Sequence, residues 1–266
     1  MMLLQIVLGV LVAMTVVMLA AWAFGLRTRN GGWTDVFWSF GTGILLAGAA
    51  LLASGNDTSQ ARRLVIAAFM LFWGLRLGLY LAPRVAGHPE DPRYAAFRAT
   101  AKNYPLTMLF VSLPQAPATA LLALSVVTAA SRPAPDLDIR DALAALVYAI
   151  ALFGETVSDA QMKRFRANPA NKGKVMQGGL WAWSRHPNYF FQWLGWMAYP
   201  IMALDLSRPV TLLTLVAPAV MYGLLRYVSG VPPLEEAMLK SRGDAFRDYQ
   251  RRVSVFFPIP PRRVPA

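Results

Sequence analysis

The chain of 266 residues is 56% hydrophobic and 15% charged, with a mean hydropathy of +0.41, which excludes an ordinary soluble domain. A net charge of +12 would suit nucleic acid, but the basic residues sit between apolar stretches of membrane length and read as orientation signals, so nucleic acid is not an expected partner. No cysteine is present, which removes disulfides, thiolate metal sites and a cysteine nucleophile, and two histidines, His88 and His186, argue against a histidine-based metal centre.

A spanning helix needs about 20 mostly apolar residues, and seven stretches qualify, at roughly 3–26, 33–54, 64–83, 105–130, 141–162, 188–204 and 209–229. The first lacks the basic leader of a cleavable signal peptide and is read as a retained helix. Beyond the last, Leu234, Met238, Phe246 and Tyr249 among charges suggest a short amphipathic helix on the membrane surface, stopped by Pro258 and Pro260; a simple membrane anchor has the same pattern. The expectation is an all-α polytopic membrane protein of about seven transmembrane helices plus that amphipathic helix, forming one integral-membrane domain over residues 1–266. Nineteen Lys and Arg fall on one side of such a topology and five on the other. The N-terminus is therefore expected outside and the C-terminus in the cytoplasm, with the polar connections 84–104 and 163–187 cytoplasmic and the Pro-rich loop 132–138 external.

Ionisable groups inside spans are costly and usually face a protein interior. Asp35 at the start of the second span and Arg76 in the third suit an internal ion pair or a catalytic role, and Gln115 interrupts the fourth. Glu155 and Asp159, four residues apart, share one face of the fifth span, which continues into Gln161, Lys163, Arg164 and Arg166. Carboxylates can hold ribose hydroxyls or an exocyclic amine and arginine can hold phosphate, so this helix end suits a dinucleotide; it also suits a solvated charged terminus. From Gly178 to Pro200 the chain sets Ser184, Arg185, His186 and Asn188 against the start of an aromatic-rich segment, a run that lines a polar cavity or else anchors an interface. No Walker or Rossmann glycine pattern, GxSxG elbow or HExxH motif is present.

ETVSDAQMKRFR (Glu155 to Arg166), GLWAWSRHPNYFFQ (Gly179 to Gln192), SGVPPLEE (Ser229 to Glu236) and the terminal FRDYQRRVSVFFP resemble the integral-membrane steroid 5-alpha-reductase superfamily, in particular its bacterial branch. TDVFW, GLRLGLY and EDPRY add a weaker match in the N-terminal half. The resemblance implies a bacterial inner-membrane protein of seven helices, whose C-terminal half, about 141–258, holds NADPH for reduction of a lipophilic enone drawn from membrane lipid. Carried onto this chain, it assigns Asp159 and Arg166 to cofactor contacts and Asn188 to the nicotinamide end. Arg185, His186 and Tyr189 follow in the same segment, with Glu155 and Gln192 as neighbours. Phe191-Gln192 stands where Gly-Glu is common in that superfamily, and the Gln-Glu pair of the steroid reductases is absent from the second span, so steroid specificity is not implied. Tyr80 and Asp35 are the candidates for polarising the substrate carbonyl and supplying the proton.

LEEAMLKSRGDAFRDYQRRVSVFFP also resembles the isoprenylcysteine and phospholipid methyltransferases. That reading replaces NADPH by S-adenosylmethionine, contacted by Glu235 or Glu236. A third reading is a non-enzymatic lipid-binding or transport protein, although inverted repeats and paired broken helices are missing. No metal is expected under any of the three.

Overall fold

In the computed structural model, which describes residues 2–55 and 57–262, six helical stretches are long and apolar enough to cross a membrane. They are Met2–Thr28 (α1), Trp33–Leu52 (α2), Gln60–Val85 (α3), Tyr104–Ala130, Ile139–Ala167 and Pro209–Arg242. A short helix α4 (Pro92–Thr100) precedes the fourth span, which is itself divided into α5 (Tyr104–Ser112) and α6 (Gln115–Ala130). The division falls at Pro114, which has no amide hydrogen to donate. The fifth span is α7 (Ile139–Ala167). Among the described residues there are no strands, only isolated bridges.

The sixth expected span, 188–204, is helical but does not continue as one long helix. It forms α8 (Pro187–Trp196) and α9 (Ala198–Ala203), with Met197 between them. Pro200 can donate no hydrogen bond, and its ring conflicts with the carbonyl of Trp196 four residues earlier, so α8 stops there. Among the described residues six spans qualify by length and composition, and the expected count of seven is not confirmed. The last span begins as a 3-10 segment (Pro209–Leu215), continues as α10 (Val216–Gly223) and widens into a π turn (Leu224–Val228). The expected surface helix is two helices, α11 (Val231–Arg242) and α12 (Asp244–Arg252), broken at Gly243 with φ +52. Phe246 and Tyr249 are buried with Val175 and Val253, and Met238 and Leu239 pack against them, so this segment has its own small core.

Two compact units are formed, the first by Met1–Ala142 with Tyr199–Ala217 and the second by Leu143–Ala198 with Pro218–Ala266. In the first unit α1 buries Val10, Met14, Met18, Ala21 and Gly25 along one stripe, while Leu4, Val12 and Val16 point outward as lipid-facing side chains do. α2 and α3 approach until their backbones touch: a Cβ on Gly43 would lie 2.8 Å from the Cα of Gly74, and one on Gly74 would lie 2.7 Å from the Cα of Gly43. Small residues permit this contact, which drives helix association where no hydrophobic force separates lipid from protein.

One end of the same unit is tied by arginines. Arg62, fully buried at the start of α3, makes a bidentate pair with Asp141 (2.7 and 2.9 Å) and donates to the carbonyls of Arg132, Ala134 and Asp136. Arg132 reaches Asp138, Asp141 and the carbonyl of Met202, and Arg140 donates to the carbonyls of Ile201 and Leu204. Five of these eight acceptor residues, Arg132, Ala134, Asp136, Asp138 and Asp141, lie within 132–141, where buried charge persists only because it is paired and hydrogen-bonded.

Candidate functional site

The polar junction is held by backbone before any side chain is placed. Gly179 adopts φ +59, and a Cβ there would meet the Gln161 amide at 2.5 Å, so glycine is required both for the turn and for the approach to α7. Gln161 Oε1 then accepts from the Leu180 amide at 3.0 Å, and the Trp181 indole donates to the Ser158 carbonyl at 3.1 Å. Loop and helix are thereby fastened on either side of Asp159. The C-terminal segment runs alongside: Ser184 Oγ donates to the Phe256 carbonyl (2.8 Å), the Arg185 amide to the Ser254 carbonyl (2.8 Å) and the Ile259 amide to the Trp183 carbonyl (3.2 Å). Tyr249 donates to the carbonyl of Trp181. Burial pushes its phenol well above the usual range, so it stays a donor.

Glu235 is the centre of the side-chain arrangement. Its carboxylate accepts from Arg185 Nε (2.7 Å) and Nη2 (3.2 Å), from Gln250 Nε2 (2.7 Å) and pairs with His186 Nε2 (3.0 Å). Arg185 Nη1 also donates to the carbonyls of Gln250 and Val253. Three chain segments meet at this one carboxylate, and such bidentate charge-assisted bonds fix geometry strongly. Burial pushes the His186 imidazole below its ordinary value, the Glu235 contact opposing that shift without overcoming it, and the ring stacks on Tyr189 with centroids 5.5 Å apart.

Facing the other side of the junction, Glu155 and Asp159 are both buried on α7. Asn188, in the first turn of α8, donates to Asp159 at 3.3 Å, and Gln192, one turn on, is buried as well. Phe191 is accommodated by Gly154: a Cβ on that glycine would lie 2.4 Å from the ring. The phenylalanine that departs from the superfamily pattern therefore packs against the face of α7, leaving Gln192 as its polar neighbour.

The structure brings together Asp159 with Asn188, and Arg185 with His186 and Glu235. It does not bring every candidate in. Glu236 is exposed and pairs with Lys240 one turn away, and Arg166 is exposed near the end of α7. Asp35 and Tyr80 belong to the first unit. There Asp35 accepts from the buried Tyr94 hydroxyl at 2.9 Å, and Tyr80 carries the guanidinium groups of Arg76 and Arg84 over its ring at 5.7 and 5.0 Å. Gly31, packed against the Tyr94 ring, belongs to a network that sequence reasoning missed. Glu90 accepts from the Gly31 amide (2.7 Å), Tyr104 (2.9 Å) and Arg98 (2.8 Å). Burial works against the charged form of Glu90, but the bonds from Arg98, Gly31 and Tyr104 outweigh it and hold the carboxyl below the usual range. Gln161 and Gln250 were likewise missed as tethering residues; both lie inside the quoted motifs, but nothing in their spacing marks a partner 19 or 15 residues away.

Comparison with known proteins adds three findings. A stretch of 44 residues is 46% identical to the "Probable O-methyltransferase ustE" of Ustilaginoidea virens, covering 16% of each chain, so the protein spans only a small part of that relative. No solved structure matches. Residues 21–253 match the family described as "Protein of unknown function (DUF1295)", which lies in the steroid 5-alpha-reductase-like superfamily. With the match running from the first span to the end of α12, the chain belongs to that family.

Proposed function

We propose that the protein is an NADPH-dependent membrane reductase acting on an activated C=C of a lipophilic substrate. The observation that carries this reading is the hydrogen bond from Asn188 to Asp159, which joins the acidic face of α7 to the first turn of α8 within one compact unit. The residues fit a dinucleotide: two buried carboxylates one helical turn apart accept hydroxyl or amine donors, the amides of Asn188 and Gln192 suit a carboxamide, and Arg166 lies two turns along α7 toward phosphate. When bound, NADPH supplies the hydride. Asp159 and Glu155 would hold hydroxyls of the nicotinamide-side ribose, and Asn188 and Gln192 beside them would orient the nicotinamide. Tyr80 or Asp35 is assigned the substrate carbonyl and the proton delivered to the alpha carbon. Arg185 and Glu235 support the site by fixing the loop that carries Asn188. In this reading the cofactor end faces the cytoplasm and the protein resides in a bacterial inner membrane.

The 44-residue likeness to a probable O-methyltransferase supports a second reading, with S-adenosylmethionine as the cofactor. Thermal unfolding of the full chain in detergent with each cofactor separates the two, because only a ligand of the native state raises the melting temperature; saturation a hundredfold above Kd adds about 2.7 kcal/mol. NADPH stabilisation that is lost in Asp159→Asn supports the reductase. Stabilisation by S-adenosylmethionine alone supports the methyltransferase, and no response to either sinks both.

A further inference from the structure

A polar cavity lies within the first unit, beside the arginine-tied loop and independent of the residues discussed for cofactor binding. Its volume is about 300 Å³, and Arg132, Asp138, Arg140, Asp205, Arg208 and Thr211 line it. At roughly 30 Å³ per water in the liquid, that is room for a small headgroup. Arg140 is committed to the carbonyls of Ile201 and Leu204. Arg132 is 8% exposed; its two terminal nitrogens are bonded, but its buried Nε has no partner among the described residues. Arg208 is exposed, and among the described residues its guanidinium makes no hydrogen bond or ion pair. One cationic donor therefore stays open to an anion, Arg208, because the Arg132 Nε is shielded from solvent. Two carboxylates also line the cavity: Asp138, paired with Arg132 yet with 45% of its side chain exposed, and Asp205, which bonds from Ser207 hold below the usual carboxylate range. Adjacent in sequence to these lining residues, Leu137, Ile139, Leu206 and Val210 are 47%, 69%, 80% and 58% exposed, an apolar rim suited to acyl chains.

We propose that this cavity binds a phosphodiester bearing an ammonium group, of the phosphoethanolamine type, with phosphate on Arg208 and the ammonium on Asp205 and Asp138. The mixed lining discriminates against an anionic headgroup lacking the amine, since the two carboxylates would then face only a second negative charge. The same headgroup chemistry could arrive on a bilayer lipid or as a soluble phosphodiester, and the rim favours the lipid.

The test is native mass spectrometry of the full chain in detergent, titrated with phosphatidylethanolamine, phosphatidylglycerol and glycerophosphoethanolamine. Phosphatidylethanolamine should bind about tenfold more tightly than phosphatidylglycerol, and Arg208→Glu should weaken it by about tenfold, the scale of one charge-assisted contact. Lys102→Glu makes the same change in net charge at an exposed position elsewhere and should leave binding unchanged. Glycerophosphoethanolamine binding as tightly as the lipid would assign the site to a soluble phosphodiester of the same chemistry. Equal binding of the two lipids, or equal effects of the two substitutions, overturns the proposal.

Discussion

Replacing Glu235 by Gln asks whether this residue is a structural clamp or a cofactor contact, the two roles that the geometry and the methyltransferase likeness set against each other. The carboxylate accepts two bonds from Arg185, one from Gln250 and a contact with His186, and the Arg185 and Glu235 side chains are 11% and 13% exposed. Glutamine keeps the volume but turns one oxygen into a donor. In either orientation its NH2 faces a guanidinium N–H of Arg185, with Gln250 Nε2 or His186 Nε2 beside it. Breaking one partner of a fully buried pair costs about 3–5 kcal/mol. Because Arg185 keeps two carbonyl acceptors and both groups retain some solvent, the loss should be about 2–3 kcal/mol. For a chain of this size that is a fall of roughly 5–10 °C in melting temperature, read by differential scanning calorimetry or fluorescence. The double variant Arg185→Met with Glu235→Leu should recover part of the loss, since it leaves neither charge unpaired. An unchanged melting temperature in Glu235→Gln, together with loss of cofactor binding, would refute the clamp and make Glu235 a ligand contact.

Three further outcomes are expected. His186 is held neutral by burial, against the pull of Glu235 and with Arg185 and Arg226 opposing its charge; the unfolded chain takes up the proton near 6.5, so its contribution is present above that pH and is lost as pH falls below it. His186→Gln should flatten the dependence of melting temperature on pH in that window, and an unaltered profile would count against burial as the cause. Gly74→Ala should destabilise by about 1–3 kcal/mol because its Cβ meets the backbone of α2, whereas Gly48→Ala, with nothing within 4 Å, should be neutral or stabilising; equal effects would show that the α2 and α3 backbones do not touch. Tyr94→Phe should cost about 1 kcal/mol by removing the donor to Asp35, measured by thermal unfolding, and should alter reductase turnover if Asp35 handles the proton; a neutral effect on both would separate Tyr94 from Asp35.

The membrane class, the helical content and six of the seven expected spans were legible because hydropathy over twenty residues is a local property of the chain. The broken helix at 187–203 was less legible, since its apolar composition matches a span while Pro200 and the tight turn at Met197 act through backbone geometry. The pairing of Asp159 with Asn188 spans 29 residues and that of Arg185 with Glu235 spans 50. Motif resemblance could mark these residues, but it could not say which carboxylate meets which cation. Glu235 and Glu236 show the difference: they are adjacent and identical in type, yet the turn of α11 directs one onto Arg185 and leaves the other exposed against Lys240.

Arg62, Arg132 and Arg140 teach the same lesson on the other unit. Counted along the chain they are orientation charges on a loop, but folding places them against Asp141, Asp138 and the carbonyls of α9 and its following turn. Sequence by itself determined how much of this protein must sit in lipid and which segments carry polar chemistry, because transfer energies add residue by residue. Only tertiary structure decided which charges are neutralised and which remain to receive a ligand, because that depends on partners brought together from distant parts of the chain.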